Sequence, residues 1–105
     1  MIISGEGKYK VWLKEIIIDD DRVYILGGGE KSHIGGLILC DPGKKSRIIR
    51  LENHYDHIVL QPIAEYACKK YNTRIVALGG IHIDNASKDE IGIIVENCRG
   101  LIECI

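Results

Sequence analysis

The sequence predicts an α+β fold: a strand-rich first half read as an antiparallel meander, then a helix, a strand and a second helix. Two observations carry this. Up to Leu51 the apolar residues come in short runs or alternate with polar ones, punctuated by Asp-, Gly- and Pro-rich turns. Beyond His57 the apolar period changes to about 3.6, gives way to the unbroken run Ile75 to Leu78, and resumes after Ser87. The result is about five strands and two helices in one domain covering residues 1–105.

Lys8 to Ile18 reads as the first strand, half-exposed or at an edge because Lys10, Lys14 and Glu15 interrupt its apolar residues. Asp19, Asp20 and Asp21 supply short carboxylates that can bond nearby amides, so Arg22 to Gly28 returns as the second arm of a hairpin. No glycine and distal glutamate follow at the spacing of a calcium loop. Gly29 to Ser32 forms a connection, His33 to Asp41 a third strand, Pro42 to Lys45 a turn, and Arg47 to Leu51 a short fourth strand. A helix from about His57 to Tyr71 follows, with Val59, Ile63, Tyr66 and Ala67 along its apolar stripe. Pro62 removes a backbone donor and crowds the preceding turn, which predicts a late start or a kink. The run Ile75 to Leu78 shows no polar alternation and is expected to be central, covered on both faces. Ser87-Lys88-Asp89-Glu90 has the S-x-x-E form of a capping box and opens a second helix that runs to near Cys104. Gly92 and Gly100 each weaken that helix by about 1 kcal/mol relative to alanine.

Composition narrows the function classes. The formal net charge is -1, with Lys+Arg 14 against Asp+Glu 15 spread along the chain, so there is no basic footprint for nucleic acid. No run approaches the ~18 apolar residues that cross a bilayer, and the N-terminus lacks a secretory signal, so no membrane association and a cytoplasmic location are expected. Cys40, Cys68, Cys98 and Cys104 form no close pair and sit among apolar residues, as reduced cysteines serving as small hydrophobes do. Trp12 on an edge strand, together with the tail residues Leu101, Ile102 and Ile105, offers more apolar surface than a small monomer leaves in water, which predicts a homodimer.

Two stretches could carry chemistry. In Gly27 to Gly36 (GGGEKSHIGG), glycines flank His33 and leave bare backbone that a ligand or partner chain can approach. The segment opens a strand rather than a helix, so it is no dinucleotide fingerprint, and a flexible or bulged hairpin remains the simpler reading. In Thr73 to Ser87 (TRIVALGGIHIDNAS), alternation places Gly80, His82 and Asp84 on one face. A carboxylate beside imidazole suits proton transfer, metal binding or plain hydrogen bonding, while Asp84-Asn85 can equally be a turn ahead of the helix. His54 and His57 flank the first helix start, but no pair of histidines has the tight spacing of a metal motif, and no metal is expected. There is no G-x-S-x-G elbow and no cysteine in a polar setting.

The combination of GGGEKSHIGG, a polar link into IAEYACKKYN, and GGIHIDNASKDEI resembles the prenylated flavin chaperone-like family, typified by the D subunit of gallate decarboxylase. The similarity runs from about Val23 to the C-terminus and is most specific at His33-Ile34-Gly35 and at Gly80 to Asn85. That family is likened in fold to the proteasome assembly chaperones. The resemblance implies a non-catalytic assembly or maturation chaperone, or accessory subunit, for a decarboxylase that uses prenylated flavin mononucleotide. On that reading Gly28, Gly29, His33, Ile34, Gly35, Gly80, His82, Asp84 and Asn85 bind the client enzyme or the flavin phosphate, and none is catalytic. The chain departs from the family in being short and in carrying Lys44, Lys45, Arg47 and Arg50 in its third connection. The residues alone also allow a small hydrolase or isomerase that uses His82 and Asp84 with help from His33, or a purely structural dimer. Every sharp reading requires His33 and His82 to meet in the folded chain.

Overall fold

The computed structural model describes residues 1–105. Six strands and two helices follow in order: β1 (Ile2–Ser4), a 3-10 turn (Gly7–Tyr9), β2 (Val11–Ile18), β3 (Asp21–Gly28), β4 (Lys31–Cys40), β5 (Arg47–Arg50), α1 (His57–Tyr71), β6 (Ile75–His82) and α2 (Lys88–Glu103). The α+β class stands, and the two helices lie within about a residue of their expected bounds. One strand was not anticipated. β1 pairs antiparallel with β2, so Trp12 lies on an interior strand, half-buried, and not at an edge.

The sheet order is β1-β2-β3-β6-β4-β5. The expected meander is therefore interrupted: β3 and β4, consecutive in sequence, are separated by β6, which runs parallel to β3 and antiparallel to β4. The stretch from Gly27 to Gly36 is accordingly not two arms of one paired hairpin but two strand segments that straddle a third. The reason lies in β6 itself. An unbroken apolar strand suits an interior position, paired on both edges, and α1 supplies the long crossover that returns the chain parallel to β3; the expected cover on both faces is not found, since Ile75 and Ala77 are buried under the helices and Val76 and Leu78 are half-exposed on the other side.

Both helices pack on one face of the sheet. Val11, Leu13, Tyr24, Leu26, Ile38, Ile75 and Ala77 from the strands meet Leu60, Ile63, Ala64 and Ala67 of α1 and Cys98 and Leu101 of α2 in a single core. Leu101 and Ile105 are buried in this core and Ile102 packs against it, so the C-terminal tail is not the exposed apolar surface it was expected to be. Pro62 lies inside α1, which nonetheless begins at His57, so no late start occurs. α2 carries the expected capping box, with the Glu90 amide donating to Ser87 Oγ at 3.1 Å and the Ser87 amide donating to Glu90 Oε1 at 3.1 Å. Asp19 and Asp20 form the β2–β3 turn, Asp19 with φ 48°. No helix is long and apolar enough to cross a membrane.

Candidate functional site

Three imidazoles converge at the end of the sheet nearest the start of α1. The register of β4 on β6 slips between Ser32, opposite Ile81, and Gly36, opposite Gly79. His33, Ile34 and Gly35 therefore face the single residue Gly80, a bulge that redirects the side chains of its strand. The bulge brings His33 to Asp56, the residue immediately before α1, with His33 Nε2 and Asp56 Oδ2 3.0 Å apart. The other oxygen, Oδ1, accepts from the Ile81 amide at 3.0 Å. Asp56 thus spends its carboxylate on β4 and β6 and makes no side-chain cap on its own helix. With 11% of the Asp56 side chain and 23% of His33 accessible, the pair is largely shielded from water.

Two further rings surround it. His54 meets His33 edge-on, with centroids 4.8 Å apart, and the His82 ring lies 5.9 Å from His33. His54 Nδ1 donates to the Glu52 carbonyl at 2.6 Å, which fixes the proton on that nitrogen and leaves Nε2 free of it in the neutral ring. His82 Nε2 lies 2.7 Å from Asp84 Oδ1, but this second pair stands in solvent, 46% and 78% exposed. Glu30 ties the same corner together: its amide donates to the His82 carbonyl and its carboxylate accepts from the Asp84 amide, both at 2.9 Å.

The glycines explain how so much fits. A Cβ on Gly80 would lie 2.5 Å from the His33 ring and 2.7 Å from the Asp56 carboxylate, and one on Gly35 would overlap Asp56 Oδ2. Side chains are withheld at both positions so that Asp56 can reach across two strands. Gly79 has φ 125° and its backbone presses against Leu26, a conformation closed to other residues. Together His33, Asn53, His54, Tyr55, Asp56, Ile81 and His82 line an open depression of about 300 Å³. Most of its lining is polar; Tyr55, 64% exposed, and Ile81 are its apolar members. Arg50 reaches this corner as well: its Nε donates to the His54 carbonyl at 2.9 Å while its guanidinium lies 4.5 Å from the centre of the Tyr55 ring.

A sequence model of the prenylated flavin chaperone LpdD-like domain matches residues 5–105. The chain belongs to this family. Membership carries a chaperone-like role toward a prenylated-flavin enzyme. No curated protein matches the chain.

Within this family member, the structure brings together His33, Gly35, Gly80 and His82, with Asp84 attached through His82; Ile34 lies exposed in the same bulge but does not line the depression. Gly29 joins them through backbone, bridging to His82. Gly28 instead closes the sheet, opposite Val11 and bonded through its amide to Ser32 Oγ. Asn85 stands in the turn before α2, with φ 50° and no hydrogen bond to the cluster. His57 is also outside it; its Nδ1 is buried without a partner.

Asp56, Tyr55 and Asn53 were not among the residues expected at the site, and Arg50 was noted only as a departure from the family. A signal existed for Asp56: an aspartate directly before a helix start, between two histidines. It reads locally as a helix cap, and only the bulge in β4 shows that its carboxylate is engaged elsewhere. No three histidine, cysteine or carboxylate groups are arranged to hold a metal ion. Nor are Cys68 and Cys98 poised as nucleophiles: burial, reinforced by a hydrogen bond with Cys40, pushes the Cys68 thiol up to about 12, and burial does the same for Cys98.

Proposed function

We propose that the chain is a non-catalytic assembly or maturation factor, or accessory subunit, for a decarboxylase that uses prenylated flavin mononucleotide, and that the three-imidazole depression is where it meets flavin, client enzyme or both. The observation that carries this reading is the His33–Asp56 pair with His54 and His82 around it, in a depression that Tyr55 and Ile81 also line. A flat heteroaromatic ring can rest against imidazoles and Tyr55, and ring nitrogens supply both donors and acceptors to its polar edge. Arg50, held beside His54, is the group suited to a phosphate. At about 300 Å³ the depression lies at the small end of ligand sites, so it suits a flavin that is partly covered and passed on, with the remaining surface left to the client.

The hydrolase or isomerase reading is less well supported. Its central pair, His82 and Asp84, stands open to solvent, and no serine, threonine or cysteine lines the depression to act as a nucleophile.

Titration with flavin mononucleotide and, in parallel, riboflavin tests the ligand half, followed by melting temperature and flavin fluorescence. Tighter binding of the phosphorylated form, lost in Arg50→Ala and weakened in His33→Ala, is expected. Co-purification with a decarboxylase of this cofactor class tests the client half. No flavin-induced shift together with no association would sink the proposal.

A further inference from the structure

Each ring in the depression has one nitrogen already engaged, and in each case as a donor. His33 Nε2 lies 3.0 Å from Asp56 Oδ2, His82 Nε2 2.7 Å from Asp84 Oδ1, and His54 Nδ1 2.6 Å from the Glu52 carbonyl oxygen. Carboxylate and carbonyl oxygens only accept, so the single proton of a neutral ring sits on the engaged nitrogen in all three. What remains is a lone pair on His33 Nδ1, His54 Nε2 and His82 Nδ1. Neither His33 nor His54 has a nitrogen buried without a partner, and His82 is exposed, so these lone pairs are open to solvent or ligand. The His54 and His82 rings stand 4.8 and 5.9 Å from that of His33.

No lysine or arginine lines the depression. The charged groups around it are Asp56 ahead of α1, Asp84 after β6, Glu30 in the β3–β4 connection, Glu52 beside the His54 segment, Arg50 at the end of β5 and Lys31, opposite His82 in register on β4. α1 adds His57, with its Nδ1 buried, and α2 brings Cys98 toward Asp56 as a thiol that burial keeps protonated. Carboxylates outnumber fixed cations in this set. With neutral rings the depression therefore offers an anion lone pairs in a surround of negative charge.

We propose, resting on the reading of the depression as a ligand site, that it takes a doubly charged oxyanion such as a phosphate ester only together with protons. Each proton comes from solvent, enters at an open ring nitrogen and turns it from an acceptor into a donor for the anion. The engaged N–H stays in place, so a charged His33 is held between Asp56 on one side and the anion on the other, both of which favour the imidazolium. Imidazolium rings this close repel one another in the empty site, and the anion offsets that repulsion; anion and protons thus strengthen each other's binding reciprocally. Imidazole changes its charge between about pH 5 and about pH 8, so affinity for the anion rises as pH falls through that range.

Calorimetric titration with sulfate, a dianion that does not itself titrate in this range, tests the proposal. Run in two buffers of different ionisation enthalpy, it counts the protons taken up per anion. About one proton per sulfate is expected near neutrality, with affinity about tenfold higher at about pH 5.5 than at about pH 7.5. Three substitutions keep the engaged donor and delete the open nitrogen: His33→Gln and His82→Gln, whose amide nitrogen replaces Nε2, and His54→Asn, whose amide nitrogen replaces Nδ1. Each should lower the proton count and flatten the pH dependence, with the melting temperature showing that the fold is kept. Should a variant unfold, the proton count of the wild type still decides. Sulfate bound without proton uptake, no sulfate bound at any pH, or wild-type pH dependence in all three folded variants overturns the proposal. So does tight binding of zinc by the three rings in place of the anion. Sulfate bound with protons while flavin mononucleotide fails to bind would leave the proton coupling standing and remove the flavin reading. Flavin mononucleotide bound equally tightly across the range, without proton uptake, would do the reverse.

Discussion

Adding one methyl group at Gly80 tests whether the site is built the way its geometry indicates. Gly80 does not have a positive φ, so alanine is allowed by the backbone; what opposes it is the His33 ring 2.5 Å and the Asp56 carboxylate 2.7 Å from the new Cβ. Both are side-chain ends and can withdraw, so the fold should survive while the pair separates. Withdrawal of Asp56 leaves the Ile81 amide without its acceptor, a loss of about 1–3 kcal/mol. Reduced freedom of the unfolded chain returns about 0.4–1 kcal/mol. The net is a loss of about 1–2 kcal/mol, or a drop of roughly 5–10 °C in Tm for a domain of this size. Gly92→Ala serves as the control, because nothing lies within 4 Å of its Cβ and it occupies a helix interior, so it should gain about 0.5–1 kcal/mol. Thermal unfolding reads the first effect, and nitrogen resonances of the His33 ring read the second, since loss of Asp56 frees the ring to change tautomer. Gly80→Ala with wild-type stability and unchanged His33 resonances would refute the argument.

Two further predictions follow from the same physics. Glu90 is held at about 2, first by the Ser87 amide and then by Lys8 and Tyr9, well below its unfolded value near 4.5. A depressed carboxylate contributes stability that is complete above the unfolded value and is lost as pH falls from about 4.5 to about 2; Glu90→Gln should flatten the acid limb of the stability curve in that window, and identical slopes would remove the capping box as the cause. In the second, Cys104 is exposed whereas Cys40, Cys68 and Cys98 are buried, so a thiol reagent at neutral pH should label one site quickly and three only on unfolding; fast labelling of Cys98 would contradict its packing.

How much of this could be read from residues alone varies by element. The capping box at Ser87 and Glu90 was legible because both groups lie within one turn of chain. The central position of Ile75 to Leu78 was legible because the run is apolar throughout, but the expected cover on both faces was not met: Ile75 and Ala77 are buried under the helices while Val76 and Leu78 lie half-exposed on the other face. β1 was not legible, since three residues in a charged N-terminal segment have no period to detect. At the site, the glycines around His33 and His82 pointed to the right corner of the molecule, but Asp56 was not legible, because its partners, the His33 ring and the Ile81 amide, come from strands distant in sequence. Leu101 and Ile105 looked exposed because amphipathicity does not say which neighbour takes the apolar stripe.

The sequence by itself determined the class of fold, the helix boundaries, and two glycine and histidine stretches worth bringing together. These follow from local interactions, where period, turn residues and caps act over a few positions. The tertiary structure decided that β6 divides β3 from β4, that a bulge turns His33 onto Asp56, and that one whole face of the sheet is left apolar and bare. Those outcomes depend on strand register between segments tens of residues apart, and register is selected by the packing of the complete core rather than by any stretch of chain within it.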